Sequence, residues 1–266
     1  MRDRNANGTR PKGPFTVTNQ INELAQRQLK DYRSLNPGAC FSEKGFSLDI
    51  TNAYAVQDKV ANLRIQDGER VVGYKVGCTG TGTIKLFGIK GPIRGTLFDT
   101  EVLLSGVALN PGSFCNLAIE AEMAIKIGEK GKILSVLPVI ELHNFVFRAP
   151  KKSLSELIAN NGLNKGVILS KQHWEKSPEA YEEISTLSLE INDKVIDAGD
   201  LWPITGGPLS SLNWLEKHLS EHDLKLSFGD IVLAGTALGL YPVKPGDKID
   251  VKVDGESAVK CSVNSS

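Results

Sequence analysis

Residues Ile119-Glu120-Ala121-Glu122-Met123-Ala124-Ile125 set two carboxylates one residue apart inside an otherwise apolar run. A β-strand turns successive side chains to opposite faces, so a strand here would point Glu120 and Glu122 the same way, side by side. Neighbouring carboxylates repel each other, and burying them is costly unless a cation or a proton is shared. The commoner use of such a pair is a surface strand with both groups in water. A second run, Pro138-Val139-Ile140-Glu141-Leu142-His143, adds a third carboxylate among apolar neighbours, with His143 on the same strand face. A charge embedded there needs a partner.

An oxygen-only set of this kind suits Mg2+, Mn2+ or Ca2+ better than zinc. His143 is a candidate general acid/base near neutral pH, although a lone histidine is more often a hydrogen-bonded core or rim residue. Lys75 lies mid-strand in Val71-Val72-Gly73-Tyr74-Lys75-Val76-Gly77. Its default is to reach solvent along its stem, and facing carboxylates it would pair with them or with an anionic substrate. The loop that follows, Gly77-Cys78-Thr79-Gly80-Thr81-Gly82-Thr83, is glycine-rich but is neither G-x-G-x-x-G nor a Walker A, so nucleotide binding gains little from it. Leu233-Ala234-Gly235-Thr236 ends a strand in a turn that offers a hydroxyl and backbone N–H groups to a carboxylate.

Thirty-one basic and 31 acidic side chains cancel, which argues against a nucleic-acid partner. No apolar run approaches the roughly 18 residues of a membrane helix, and no signal peptide is visible at the start. Cys40, Cys78, Cys115 and Cys261 are scattered without a CxxC pair, so a reducing, cytoplasmic setting is the simpler reading.

Residues 1–16 are expected as a flexible tail. Ile21, Leu24, Ala25, Leu29 and Tyr32 then mark a helix stopped by Pro37-Gly38, and Ser47 is the expected N-cap of a second, which ends at Asp67-Gly68. Together they make a helical part over 17–69. From 70 to 266 the texture is β, with short runs at Thr100–Leu104, Ile119–Ile127, Lys132–Leu142 and Ile231–Ala234, and an alternating Ile249, Val251, Val253 after the Pro245-Gly246-Asp247 turn. Two helices interrupt it. One opens on the capping box Ser153-Leu154-Ser155-Glu156 and stops at Gly162; the other opens at Pro208 with Leu209, Leu212, Leu215 and Leu219 on one face. Strands mixed with helices but without a βαβ rhythm predict an α+β fold.

Six segments in order carry a resemblance: Ala53-Tyr54-Ala55-Val56-Gln57, Gly73–Thr79, Ile119–Glu122, Pro138–Glu141, Gly207-Pro208-Leu209 with Trp214-Leu215, and Gly229–Thr236. The chain resembles the 2-keto-4-pentenoate hydratase / 4-oxalocrotonate decarboxylase family of the fumarylacetoacetate hydrolase superfamily, from about residue 17 to the C-terminus. The resemblance implies a helical part packed on a mixed β-roll and a homo-oligomer. It also implies Mg2+ or Mn2+ held by Glu120, Glu122 and Glu141, with Lys75 in the pocket; Lys75 and, from its own position, His143 are the expected catalytic residues. Thr79, Arg94 and Thr236 are the expected substrate-binding residues. The implied reaction is hydration of a 2-hydroxydienoate or unsaturated 2-oxo acid, of the kind met in aromatic-compound breakdown, through an enolate stabilised by the cation. Decarboxylation of a 2-oxo acid is the close rival, and a catalytically silent metabolite-binding protein is the reading from another class. Departures fall on the pocket side: Ile93, Asn144, Val146 and Asn160 stand where the family has other residues, and His143 and Arg94 are the expected compensation. The stretch between Glu122 and Glu141 is shorter than the family's.

Overall fold

The computed structural model describes residues 17–80, 91–181 and 186–265. The tail over 1–16 and residues 81–83 of the glycine-rich loop lie outside them.

Two helices open the fold, α1 (Val17–Arg33) and α2 (Ile50–Gln66). Asp49, not Ser47, caps α2: its carboxylate accepts from the Asn52 N–H, because only a residue directly before the first turn can reach that orphan donor. The strands are β1 (Val71–Gly77), β2 (Ile93–Phe98), β3 (Val102–Leu104), β4 (Val107–Leu109), β5 (Leu117–Ile127), β6 (Ile133–Asn144) and β7 (Asn164–Leu169). After them come β8 (Thr186–Ile191), β9 (Lys194–Asp200), β10 (Ile231–Leu233), β11 (Tyr241–Pro242), β12 (Lys248–Val253) and β13 (Glu256–Val263). The short helix α3 (Leu154–Ala159) precedes β7, and α4 (Gly207–Ser220) precedes β10.

One sheet runs β2-β1-β10-β5-β6-β7-β3, with β11 paired to β5; the other runs β4-β13-β12-β8-β9. Both are mixed, since β1–β10, β3–β7 and β4–β13 are parallel and the remaining pairs antiparallel. The expected α+β fold with a mixed β-roll is what the chain adopts. The link between β5 and β6 is a tight turn through Glu129–Gly131, which is why the stretch between the second and third glutamates is so short.

The alternation in β5 sorts its two faces. Ile119, Ala121, Met123, Ile125 and Ile127 enter the main core with Leu187, Leu189, Ile249 and Val251 of the second sheet. Glu120, Glu122 and Ala124 therefore face the other way, where Ala124 packs with Val139 and Leu233. Ile249, Val251 and Val253 alternate inward as their spacing predicts. In α4, Leu212, Leu215 and Leu219 are buried, whereas Leu209 sits on the first turn and stays 58% exposed.

The helical part shares its core with the β part rather than owning one. Phe41, Ala53, Tyr54 and Val56 pack against Ile93 of β2 and against Leu157, Ile158 and Leu163 around α3. The Gln57 amide donates to Ile158 O at 2.7 Å and Arg94 O at 3.1 Å, tying α2 to both elements. Ser153 caps α3 through the Glu156 N–H, but the Glu156 carboxylate turns to the N–H groups of Arg148 and Ala149 instead of completing the box. The helix itself ends at Ala159, with Asn160 as its C-cap, ahead of the expected stop at Gly162.

Candidate active site

Antiparallel pairing sets Glu120 of β5 directly opposite Glu141 of β6. Glu122 follows two residues along one strand and His143 two along the other, so all four side chains share the face turned away from the main core. Glu122, Glu141 and His143 are each 2% exposed or less, and Glu120 is half-buried.

Their neighbours come from distant segments. Lys75 on β1 is buried and places Nζ 2.8 Å from Glu141 Oε1, while donating to Gly162 O at 2.9 Å. A side chain there would crowd the lysine: Gly162 has φ +63°, and a Cβ would lie 2.6 Å from Lys75 Cε. Asn164 donates to the same Glu141 oxygen at 2.7 Å. Glu122 Oε1 accepts from the backbone N–H of Gly235, another left-handed glycine, in the turn after β10. His143 Nε2 lies 3.0 Å from Glu120 Oε2 and 3.5 Å from Glu141 Oε2, yet neither ring nitrogen makes an aligned hydrogen bond.

Titration follows from this packing. Burial raises Glu122 well above the carboxylate range, and the charges of Glu141 and Glu120 push it further. Burial also pushes Glu141 up, but His143, Lys75 and Asn164 outweigh it and hold Glu141 low. For Lys75 burial lowers the affinity for its proton, and the charges of Glu141 and Glu120 more than reverse that, so it stays an ammonium.

Three carboxylates thus face one lysine, an imbalance that a divalent cation would remove. The residues fit one. Glu120, Glu122 and Glu141 line a common cavity of about 60 Å³ with Thr79, Gly80 and Thr236. Glu120, Glu141 and His143 also bring ligand atoms within 4.8 Å of one another, a set that the oxygen-only expectation leaves out. Beside it opens a cavity of about 440 Å³ that Lys75, Glu120 and His143 help to line. A larger cleft of about 630 Å³ near Trp202 and Leu209 carries no comparable group of buried charges among the described residues.

No family model matches the chain. It is 26% identical over 226 residues to a 4-oxalocrotonate decarboxylase of Pseudomonas sp. (strain CF600), covering 80% of this chain and 84% of that one. It is 25% identical over 248 residues to 2-keto-4-pentenoate hydratase 1 of Dechloromonas aromatica (strain RCB), covering 87% and 91%. The structure of 4-oxalocrotonate decarboxylase from Pseudomonas putida G7, complexed with magnesium and adipate, superposes with a TM-score of 0.84 at 22% identity, covering 94% of this chain and 99% of that one. Over most of its length the chain is thus similar to 2-keto-4-pentenoate hydratases and 4-oxalocrotonate decarboxylases.

The residues singled out in the sequence divide. Lys75, Glu120, Glu122, Glu141 and His143 come together. Thr79 and Thr236 line the small cavity, where Thr79 Oγ1 donates to Thr236 O at 3.4 Å and Thr236 Oγ1 accepts from the Leu238 N–H at 3.0 Å. Arg94 does not join them. It is fully buried on the opposite face of β2, with Nη2 2.7 Å from Asp58 and the guanidinium 5.2 Å from the Tyr54 ring centre. Strand alternation is the reason: Ile93 lines the 440 Å³ cavity, so its neighbour must point away.

Two of the departures have their own partners. Asn144 accepts from the Cys115 N–H at 2.8 Å, and the Asn160 side-chain oxygen accepts from the Gln28 amide. Gly162, Asn164, Phe145, Phe147 and Lys152 lie at this candidate site without having been singled out for it in the sequence.

Proposed function

We propose that the chain is a metal-dependent hydratase acting on a 2-hydroxydienoate or unsaturated 2-oxo acid. The observation that carries this reading is the meeting of Glu120, Glu122 and Glu141 in one small buried cavity that opens beside a roomier one. The three glutamates would hold Mg2+ or Mn2+, the sort of ion named with the magnesium complex of the Pseudomonas putida decarboxylase. A bound ion supplies Lewis acidity towards the carboxylate and 2-oxygen of the acid.

The chain's own residues do the rest. Lys75 is locked between Glu141 and Gly162 O, which fixes a positive charge beside the oxygen that becomes anionic. Its raised proton affinity favours this electrostatic role over a proton shuttle. His143, without an aligned hydrogen bond and next to Glu120, would take a proton from the adding water. Thr79 and Thr236 would orient the acid's head.

Decarboxylation needs the same head-group site, and the relatives at 26% and 25% identity carry the two names. A panel of 2-hydroxydienoates and 2-oxo diacids, followed by loss of ultraviolet absorbance and by release of CO2, separates them. Turnover without CO2 supports the hydratase. CO2 release as the sole activity replaces it, and metal-dependent binding with no turnover of any panel member would show a binding protein.

The proposal includes a homo-oligomer in a cytoplasmic setting. In its support, the four cysteines are scattered without a CxxC pair, and the edge strand β9 exposes Val195 and Ile196. Among the described residues no helix is long and apolar enough to cross a membrane. Light scattering reads the oligomeric state, and a monomer would remove that part.

A further inference from the structure

The strand β9 breaks its pairing with β8 in one place, and the break aims a carboxylate. Val195 stands opposite Glu190 and Asp197 opposite Leu189, so Ile196 is an extra residue without a partner on β8. Residues directly opposite share a face of the sheet, and Leu187 and Leu189 are fully buried in the main core. The bulge therefore turns Asp197, and Gly199 two residues on, to the core side, while Val195 and Ile196 stay exposed. Packing alone would favour the reverse, because an isoleucine gains from burial and a carboxylate loses.

On that side Asp197 meets the stretch over 234–240, between β10 and β11. It forms neither helix nor strand, so its course depends on what surrounds it. Asp197 Oδ2 accepts from the Gly239 N–H at 2.9 Å and from the Tyr241 hydroxyl at 2.7 Å. A Cβ on Gly199 would lie 3.3 Å from Leu238 Cδ1 and 3.8 Å from Ala237 Cβ, so the β9 backbone rests against the same stretch. Burial alone would raise Asp197, but the Gly239 N–H, the Tyr241 hydroxyl and the Ala198 N–H outweigh it and hold the carboxyl low.

The same stretch is a wall of the site. Thr236 and Leu238 line the small glutamate cavity, and Ala237, Leu238, Gly239 and Leu240 line the 440 Å³ one. Thr236 Oγ1 accepts from the Leu238 N–H, next in the chain to the group that Asp197 holds. Tyr241 pairs with Ile119, the neighbour of Glu120.

We propose that Asp197 is a positioning residue: reaching across from the second sheet, it fixes the stretch over 236–240 and through it the seat of the substrate. This rests on the reading of the glutamate cluster as the 2-oxo acid site. The ion's own ligands stand on β5 and β6, so Asp197 governs the acid and not the metal.

The test uses 2-oxohexanoate and Mn2+ as probes, with calorimetry and hydrogen exchange on wild type, Asp197→Ala, Asp197→Asn and Tyr241→Phe. Hydrogen bonds to a charged group are the stronger kind, so Asp197→Ala should bind 2-oxohexanoate with Mn2+ present about fivefold more weakly. Amides over 236–240 should exchange at least about tenfold faster in that variant, with β5 and β6 unchanged. Mn2+ affinity without the acid should stay within about twofold, a split that general loss of structure would not give. Asp197→Asn keeps an oxygen for Gly239 and Tyr241 and should recover to within about twofold of wild type. If Asp197→Ala does not fold, Tyr241→Phe decides, since losing one of the two donors should shift acid affinity and exchange the same way by about twofold. Unchanged acid affinity, unchanged exchange over 236–240, or an equal loss of Mn2+ affinity overturns the role of Asp197 and leaves the glutamate site standing. If wild type binds no 2-oxohexanoate with Mn2+ present, the glutamate-site reading fails and this assignment falls with it.

Discussion

Two buried charge clusters sit on opposite faces of the β1–β2 ladder, and they are balanced differently. On one face Lys75 meets Glu141, with Glu120 and Glu122 close by, so three carboxylates answer one ammonium. On the other face Arg94 pairs with Asp58, and Asp58 also lies 3.3 Å from His222 Nδ1; Tyr54, Trp214 and His218 stack around them. The second cluster has as many permanent cations as anions and packs aromatic rings into the space a ligand would need. The first keeps an excess of negative charge and opens to a cavity. A buried charge that is already matched stabilises a packing arrangement, while an unmatched excess is worth its desolvation only when something binds.

Lys75→Met attacks that contrast hardest. It leaves the three carboxylates unopposed, so turnover should fall by at least about 10²-fold as the fixed positive charge is lost. The metal-free variant should melt below wild type and recover on adding Mn2+, read as thermal midpoints with and without the ion. Equal midpoints in both conditions would mean that the glutamates do not depend on a cation.

Arg94→Met addresses the balanced cluster. Breaking a buried pair costs about 3–5 kcal/mol, and somewhat less here, about 2 kcal/mol, because Asp58 keeps contact with water. Denaturant unfolding measures that loss. Once folded, the variant should keep kcat/KM within about threefold of wild type, since the guanidinium faces away from the cavity. A folded but inactive Arg94→Met would show that the two clusters act as one.

The smallest effect is a pH dependence. Burial first, then the charges of Arg94 and His222, hold His218 down at about 4, against 6.5 for an ordinary imidazole. The neutral ring therefore supports folding fully above pH 6.5, and that support drains away as the pH falls towards 4. His218→Phe keeps an aromatic ring against Trp214 and should flatten this part of the stability curve. An unchanged curve would place the titration elsewhere.

The contrast also explains what could be read in the chain. Glu120 and Glu122 declare a shared face because strand alternation is a property of spacing alone, and the alternation of Ile249, Val251 and Val253 is legible for the same reason. Arg94 misleads for a related cause: it follows the cavity residue Ile93, and adjacency in a strand means opposite faces. The turn at Gly235 is legible as a source of backbone N–H groups, but not that Glu122, 113 residues away in sequence, is the carboxylate it serves. Gly162 and Asn164 are silent, because their roles depend on where α3 and β7 deliver them. Glu156 fits the capping pattern in sequence, but the chain over Arg148-Ala149 passes close enough to claim its carboxylate.

The central claim is that the excess of buried carboxylate exists to hold a divalent ion. Calorimetric titration of Mn2+ into wild type and Glu122→Gln, with and without oxalate as a mimic of the substrate's head, tests it directly. The account predicts Mn2+ binding that oxalate strengthens, accompanied by proton release as Glu122 ionises, and an affinity at least about 100-fold weaker in Glu122→Gln. Wild-type protein that takes up no Mn2+, with or without oxalate, would contradict it.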